Sequence, residues 1–347
     1  MDGSVATGGM GRARNDGPPD GSGRMRRSRL ADQAGAISHR WGIMIGWAIL
    51  VGVFSILRPA TFPTWANFGS TIFGSQAVLV VLSIGLLIPL TAGEYDLSVT
   101  GSLGMGLILT EYLTATQGWP LTAAIIAALA TGVAVGLVNA FLIVVIGVES
   151  IIATLGMGTL LIGLGYAISN QTLVGTSKFL TNVTANQVLG VPGAFFYGLG
   201  ATIIAWYVYA KTPLGRYLYF VGAGRTVARL SGVRVDLLRT GSLVAAGFLG
   251  ALSGVVLAGT LGSSGPDIAA SYLLPAFAAV FLGSTCVTPG RFNPWGTFIA
   301  VYFLITGIIG LELMGLYGWI EDVFYGGSLI VAVSLSRLAS RRASDLR

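Results

Sequence analysis

From Trp41 to Leu335 the chain runs as a series of long apolar blocks with almost no charge inside them, broken by short polar stretches. About ten blocks are readable, at 41–57, 71–91, 97–116, 121–146, 151–169, 194–210, 240–260, 269–287, 294–312 and 320–336. About 20 apolar residues, rising 1.5 Å each, cross the hydrocarbon core of one bilayer. Only helices or closed barrels satisfy their backbone there, and unbroken apolar runs mean helices. The pattern therefore predicts an all-α polytopic integral membrane bundle of about ten transmembrane helices. Its membrane domain covers 41–336, between tails at 1–40 and 337–347.

The polar breaks carry the functional information. The sharpest is Thr91-Ala-Gly-Glu-Tyr-Asp-Leu-Ser-Val99, which places Glu94 and Asp96 between two apolar blocks. Charge at that depth is costly and usually functional. Paired carboxylates suit acid–base work or proton carriage. Asp96 also stands just before an apolar run, where a carboxylate meets the free N–H groups and positive dipole end of a helix start. Capping of that helix is the reading we adopt. Gln76, Glu111, Asn139 and Glu149 are further polar residues within or beside the blocks, each able to serve as a hydrogen bond inside the bundle. The connection 170–193 can be a plain loop or hold a short helix. Within the loop 211–240, Thr226 can cap a short basic helix reaching Ser231, and Gly232 can end it in a left-handed conformation. On pattern alone that helix either lies on anionic lipid or docks a cytoplasmic partner.

Charge adds orientation. The chain carries 20 lysines and arginines against 14 acidic residues, yet only 10% of its residues are charged, far below the share usual in soluble domains. Counting ten spans from a cytoplasmic N-terminus puts all basic residues except Arg58 and Lys178 inside, as the positive-inside rule requires. Both termini are then cytoplasmic. The Gly-, Arg- and Ser-rich N-terminal tail reads as disordered and orienting, not as a nucleic-acid arm, because such compositions do not pack a core. His39 in that tail reads as solvated. One histidine and one cysteine, Cys286, leave no metal cluster and no Ser-His-Asp set. No GxxxxGK[ST] phosphate loop occurs, so the chain does not bind ATP in that manner. The reading includes no cofactor and no enzymatic activity of its own.

Several stretches resemble one family in colinear order. Gly93-Glu-Tyr-Asp-Leu-Ser-Val99 resembles the Gly-Gly-Ile-Asp-Leu-Ser-Val-Gly signature of permease subunits of ribose-type ABC sugar importers. Asn139 and Ser150-Ile-Ile-Ala-Thr-Leu-Gly156 are similar to its Asn-Gly and Phe-Ile-Ala-Thr-Leu-Gly stretches. Thr212-Pro-Leu-Gly-Arg-Tyr217 and Ala228-Arg-Leu-Ser-Gly-Val233 are similar to its main cytoplasmic loop. Ala278–Gly283 and Pro289–Thr297 look like its late Ala-Ala-Val-Val-Ile-Gly-Gly stretch and Gly-rich turn. The departures are Glu94 for the second signature Gly, Tyr95 for Ile, Pro275 where many members are acidic, and Ser284-Thr285 for a late Gly pair.

The resemblance implies a paired permease in the bacterial inner membrane, driven by a separate cytoplasmic ABC ATPase that binds the ATP. An extracytoplasmic sugar-binding protein would deliver the solute. It points to Gln76, Glu94, Tyr95 and Asp96, with Ser98, Asn139 and Thr154, as substrate-pathway candidates. It also favours docking for the basic helix, with Gly215, Arg216, Ala228, Arg229, Ser231 and Gly232 as the ATPase coupling loop. Dispersed Ser, Thr and Asn contacts in a nearly uncharged bundle suit a neutral polyhydroxylic solute, whereas charged rings or a carbonyl filter would mark an ion channel. The competing expectation is a proton-coupled secondary transporter using Glu94, Asp96 or Glu111. An integral-membrane enzyme is disfavoured by the missing nucleophile and histidine sets.

Overall fold

The computed structural model describes residues 41–188 and 190–345; the predicted N-terminal tail with His39 lies outside the described residues, as do Leu346 and Arg347. Helices stand on every apolar block. They are α1 (Trp41–Leu57), α2 (Ala66–Thr91), α3 (Val99–Glu111, continuing as a π turn through Thr116), α4 (Leu121–Ile146) and α5 (Ser150–Ile168). Three more cover loops: α6 (Lys178–Ala185), α8 (Pro213–Ala223) and α9 (Arg225–Leu230). The rest are α7 (Gly193–Lys211), α10 (Val235–Leu261), α11 (Leu273–Gly283), α12 (Pro294–Glu312) and α13 (Trp319–Asp345). The all-α class is thus observed. Among the described residues six helices, α2, α4, α5, α7, α10 and α12, are long and apolar enough to cross a membrane, while α1 and the stretch Ile268–Gly283 are shorter apolar helices. Helix α13 runs through Asp345, past the predicted end at 336.

Burial separates centre from rim. About 72% of the apolar windows of α2 and α12 and 67% of that of α10 is buried, against 28% for α5 and α7. The sequence reason is glycine on α10. An added Cβ at Gly247 would sit 2.2 Å from Gly132 O of α4, and one at Gly254 would sit 2.1 Å from Leu103 O of α3. Without side chains at these crossings the backbones approach closely, and dispersion contacts hold helices together where no hydrophobic drive exists between lipid and protein. Helix α10 has 27 residues, roughly 40 Å at 1.5 Å each and longer than a hydrocarbon core of about 30 Å. Its first turns, with Asp236 and Arg239, therefore extend toward the 211–234 loop.

The connection left open between loop and helix contains α6, whose Leu180 and Thr184 pack on Gly259 of α10. Leu173–Val174 pairs antiparallel with Ser263–Ser264, and Thr176 hydrogen-bonds Ala258 O and Glu111. Glu111, fully buried, therefore ties α3 to this connection. At the other end of the bundle, Asn293 caps α12 by accepting from Gly296 N at 2.6 Å, and its Nδ2 donates to Cys286 O at 3.0 Å.

Candidate functional site

The hairpin between α2 and α3 begins at Gly93, whose φ of +80° suits a residue without Cβ. Glu94 N then donates to Pro89 O at 2.9 Å, closing the turn. Asp96 Oδ1 accepts from Ser98 N at 2.9 Å and from Ser98 Oγ at 2.6 Å, an Asx turn that starts α3. Ser98 Oγ accepts in turn from Asn139 Nδ2 of α4 at 2.7 Å. On the other flank, Tyr95 N donates to Ser150 Oγ at 3.2 Å and Leu97 N to Thr154 Oγ1 at 3.0 Å, both on α5. Five of the seven pathway candidates, Tyr95, Asp96, Ser98, Asn139 and Thr154, thus meet in one network joining α3, α4 and α5. Ser150 completes it, and only its place beside Thr154 in the Ser-Ile-Ile-Ala-Thr motif hinted at that. Gln76 stands apart, fifteen residues up α2 from Thr91 or roughly 22 Å by helical rise, where its Nε2 donates to Ser75 Oγ.

Glu94 points the other way. It is 2% exposed, and one carboxylate oxygen, Oε1, accepts from Arg225 at 2.7 Å and from Arg239 Nε at 2.5 Å. Arg225 also donates to Gly93 O at 2.8 Å. Gly222 of α8 rests on the end of α2, where an added Cβ would be 2.0 Å from Thr91 O. The hairpin and the 211–239 loop therefore form one face. A cleft of about 630 Å³ opens there, lined by Glu94, Tyr95, Glu149, Arg225, Arg229 and Arg239 among others. Spacing could not reveal this, since 131 and 145 positions separate Glu94 from Arg225 and Arg239.

The coupling-loop candidates divide. Helix α9 starts at Arg225 with Gly224 at its N-cap, so Thr226 lies inside it and does not cap it, whereas Ser231 ends it and Gly232 follows with φ +82° as expected. Ser231 Oγ donates to Val227 O, and Arg229 pairs with Asp236 at 2.7 Å in solvent. Arg216 is exposed on α8, while Gly215 is buried against Tyr209. Ala228 corrects the expectation that it presents a contact surface. It is fully buried, packed with Val221 and Val235, because on a six-residue helix only one side can face the bundle. The outward side carries Val227, 59% exposed, and Leu230, 84% exposed. These two apolar residues were missed, although their i, i+3 spacing was available.

Burial pushes the Asp96 carboxyl up to about 6, partly offset by its hydrogen bonds from Ser98. Its folded-state affinity for a proton exceeds that of the unfolded chain. Its stabilising contribution is therefore complete below the ordinary value of 3.8 and is lost as pH rises through about 6. Two pH units of such a shift correspond to roughly 3 kcal/mol. We expect Asp96→Asn, which keeps the Asx turn and removes the titration, to gain in melting temperature over wild type between pH 4.5 and 7.5. Asp96→Ala, which also escapes the titration but loses the Asx turn, should lie about 1 kcal/mol below Asp96→Asn at every pH. Thermal unfolding in detergent across that range checks both, and a pH-independent difference between wild type and Asp96→Asn would refute the buried titration.

These features define a class: a helical membrane protein whose polar residues gather at one end and present a short apolar-and-basic helix to that side. The chain belongs to the family described as branched-chain amino acid transport system / permease component, whose model matches residues 69–333. It is 31% identical to the ribose import permease protein RbsC of Escherichia coli (strain K12) over 301 residues, 84% of this chain and 91% of the relative. It is also 31% identical to RbsC of Bacillus subtilis (strain 168), over 88% of this chain and 94% of that protein. The D-allose transport system permease protein AlsC of Escherichia coli (strain K12) is 28% identical over 87% and 93% of the two chains. No solved structure matches. The resemblance read from the hairpin and loop motifs is borne out.

Proposed function

We propose that the chain is the membrane permease of an ATP-driven importer for a monosaccharide or similar small polyol. In this reading it crosses the inner membrane ten times, through α1–α5, α7 and α10–α13, with both termini cytoplasmic. It works as one of a pair of permease subunits, with a separate cytoplasmic ABC ATPase and an extracytoplasmic sugar-binding protein. The observation that carries the reading is α9: Val227 and Leu230 lie exposed beside Arg225 and Arg229, on a loop that the charge asymmetry assigns to the cytoplasm. Exposed apolar residues ringed by charge are what a docked protein partner would cover. The relatives' names supply the solute class.

The uncovered face of α5 supports pairing. It carries Gly156, Thr159 and Gly163, and both glycines have open space where a Cβ would stand. Small residues there let a second copy approach closely, and the exposed hydroxyls of Thr159 and Tyr166, which donate to Leu155 O and Asp267, keep lone pairs able to accept from a neutral solute between the two. The hairpin network then holds the cytoplasmic starts of α3 and α5, with Asp96, Ser98, Asn139 and Thr154 bonded within the protein. A proton-carrier role for Glu94 is disfavoured by the two arginines on its carboxylate.

The test is reconstitution in liposomes with its cognate ABC ATPase and sugar-binding protein, using labelled D-ribose and D-allose. Uptake of one of them should require ATP inside and survive a protonophore. Uptake that collapses with the proton gradient while ATP is present would overturn the reading.

A further inference from the structure

Glu94 does more than fill a turn, because its carboxylate joins three separate elements. Arg225 is the first residue of α9, Arg239 lies on the second turn of α10, and Glu94 itself sits in the hairpin. Exposure falls along this set, from 45% at the Arg225 side chain through 12% at Arg239 to 2% at Glu94. The charge-assisted bonds are thus screened least where they converge. Arg225 adds a second bond, to Gly93 O, so the start of α9 is held to the hairpin at two points. From the hairpin, hydrogen bonds continue to Ser150 and Thr154 at the start of α5 and through Ser98 to Asn139 of α4. A glycine at position 94, as in the signature the hairpin resembles, would have no side chain to make this joint.

We propose that Glu94 is a positioning residue that clamps α9 to the hairpin, so that displacement of α9 by a docked ATPase moves the cytoplasmic ends of α3, α4 and α5 with it. This rests on the docking reading above. Coupling between distant sites needs packed or hydrogen-bonded elements that move together, and here the exposed helix meets the hairpin through Arg225 on Glu94 and Gly93 O, while Arg239 ties the same carboxylate to α10. A docked partner pushing on Val227 and Leu230 would act on α9 within two turns of Arg225. Loss of the clamp should leave ATP hydrolysis running while solute movement lags behind it. That outcome separates a positioning role from a merely structural one, which would lower both together with the folded yield.

The experiment uses the complete complex in liposomes and reads the ATP hydrolysed per labelled D-ribose or D-allose imported. Glu94→Gln is the direct variant, and Arg225→Ala is the second because its half-exposed side chain is easily removed without harm to folding. Both should raise ATP consumed per sugar at least fivefold with ATP hydrolysis within twofold of wild type. Leu230→Asp in the same series tests the docking reading itself. If Leu230→Asp releases the ATPase while Glu94→Gln and Arg225→Ala keep the wild-type ratio, the clamp is overturned and docking stands. If Leu230→Asp leaves the complex intact and coupled, the docking reading fails and the clamp fails with it.

Discussion

Gly254→Leu is expected to abolish the folded protein. A Cβ at this position would meet Leu103 O at 2.1 Å and Leu107 N at 2.5 Å, both backbone atoms of α3, so no side chain can swing aside. Adding methylenes to a tight core costs about 1–3 kcal/mol even where neighbours can adjust. Here α3 and α10 must part, and α10 is also wedged at Gly247 against Gly132 of α4. Such a loss is comparable with the roughly 5–15 kcal/mol that holds a typical domain together. Fluorescence-detected size exclusion of the variant should show no monodisperse peak, with Gly254→Ala intermediate. Gly52→Ala on α1, where nothing lies within 4 Å, should behave as wild type. Wild-type yield from Gly254→Leu would mean that α3 and α10 do not cross at this point.

The second large effect is expected at Leu230. This side chain is 84% exposed at the end of α9, so replacing it removes nothing from the protein's own core. Leu230→Asp should therefore leave membrane yield and melting temperature unchanged while ATPase co-purification falls at least tenfold and uptake drops to background. Tenfold corresponds to about 1.4 kcal/mol, modest for an apolar contact at the centre of an interface. Ala228→Trp is a contrasting change, since Ala228 is enclosed by Val221 and Val235; it disturbs the loop itself and cannot isolate docking. If α9 merely lay on lipid, Leu230→Asp would weaken that surface contact and leave the ATPase bound and coupled.

The helices were legible from the chain because each apolar block is long, uninterrupted and bounded by polar residues, and α4 and α12 start and stop where the pattern places them. The left-handed end of α9 at Gly232 was legible for the same kind of reason, a local backbone requirement that glycine meets. That a helix begins just after Asp96 was legible, but the capping role expected of its carboxylate is corrected: Ser98 is the N-cap, and Asp96 bonds Ser98 in an Asx turn instead of the free N–H groups of the first turn. The extent of α10 was less clear. Its first turns carry Asp236 and Arg239, and polar residues end a hydropathy pattern without ending a helix.

The chain alone therefore specified what is local: helices on its apolar blocks, the placement of the breaks between them, and the family signature in the hairpin and inner loop. Which side chains meet was set by the packing of the helices. It turned Glu94 away from Asp96 toward Arg225 and Arg239, brought Asn139 and Thr154 to the hairpin, left Gln76 apart on α2, and put Ala228 inside and Leu230 outside. The physical reason is that an apolar block records its own burial in bulk but not its neighbours. Lipid and protein interior are equally apolar, so hydropathy cannot tell the packed face of a membrane helix from its free one.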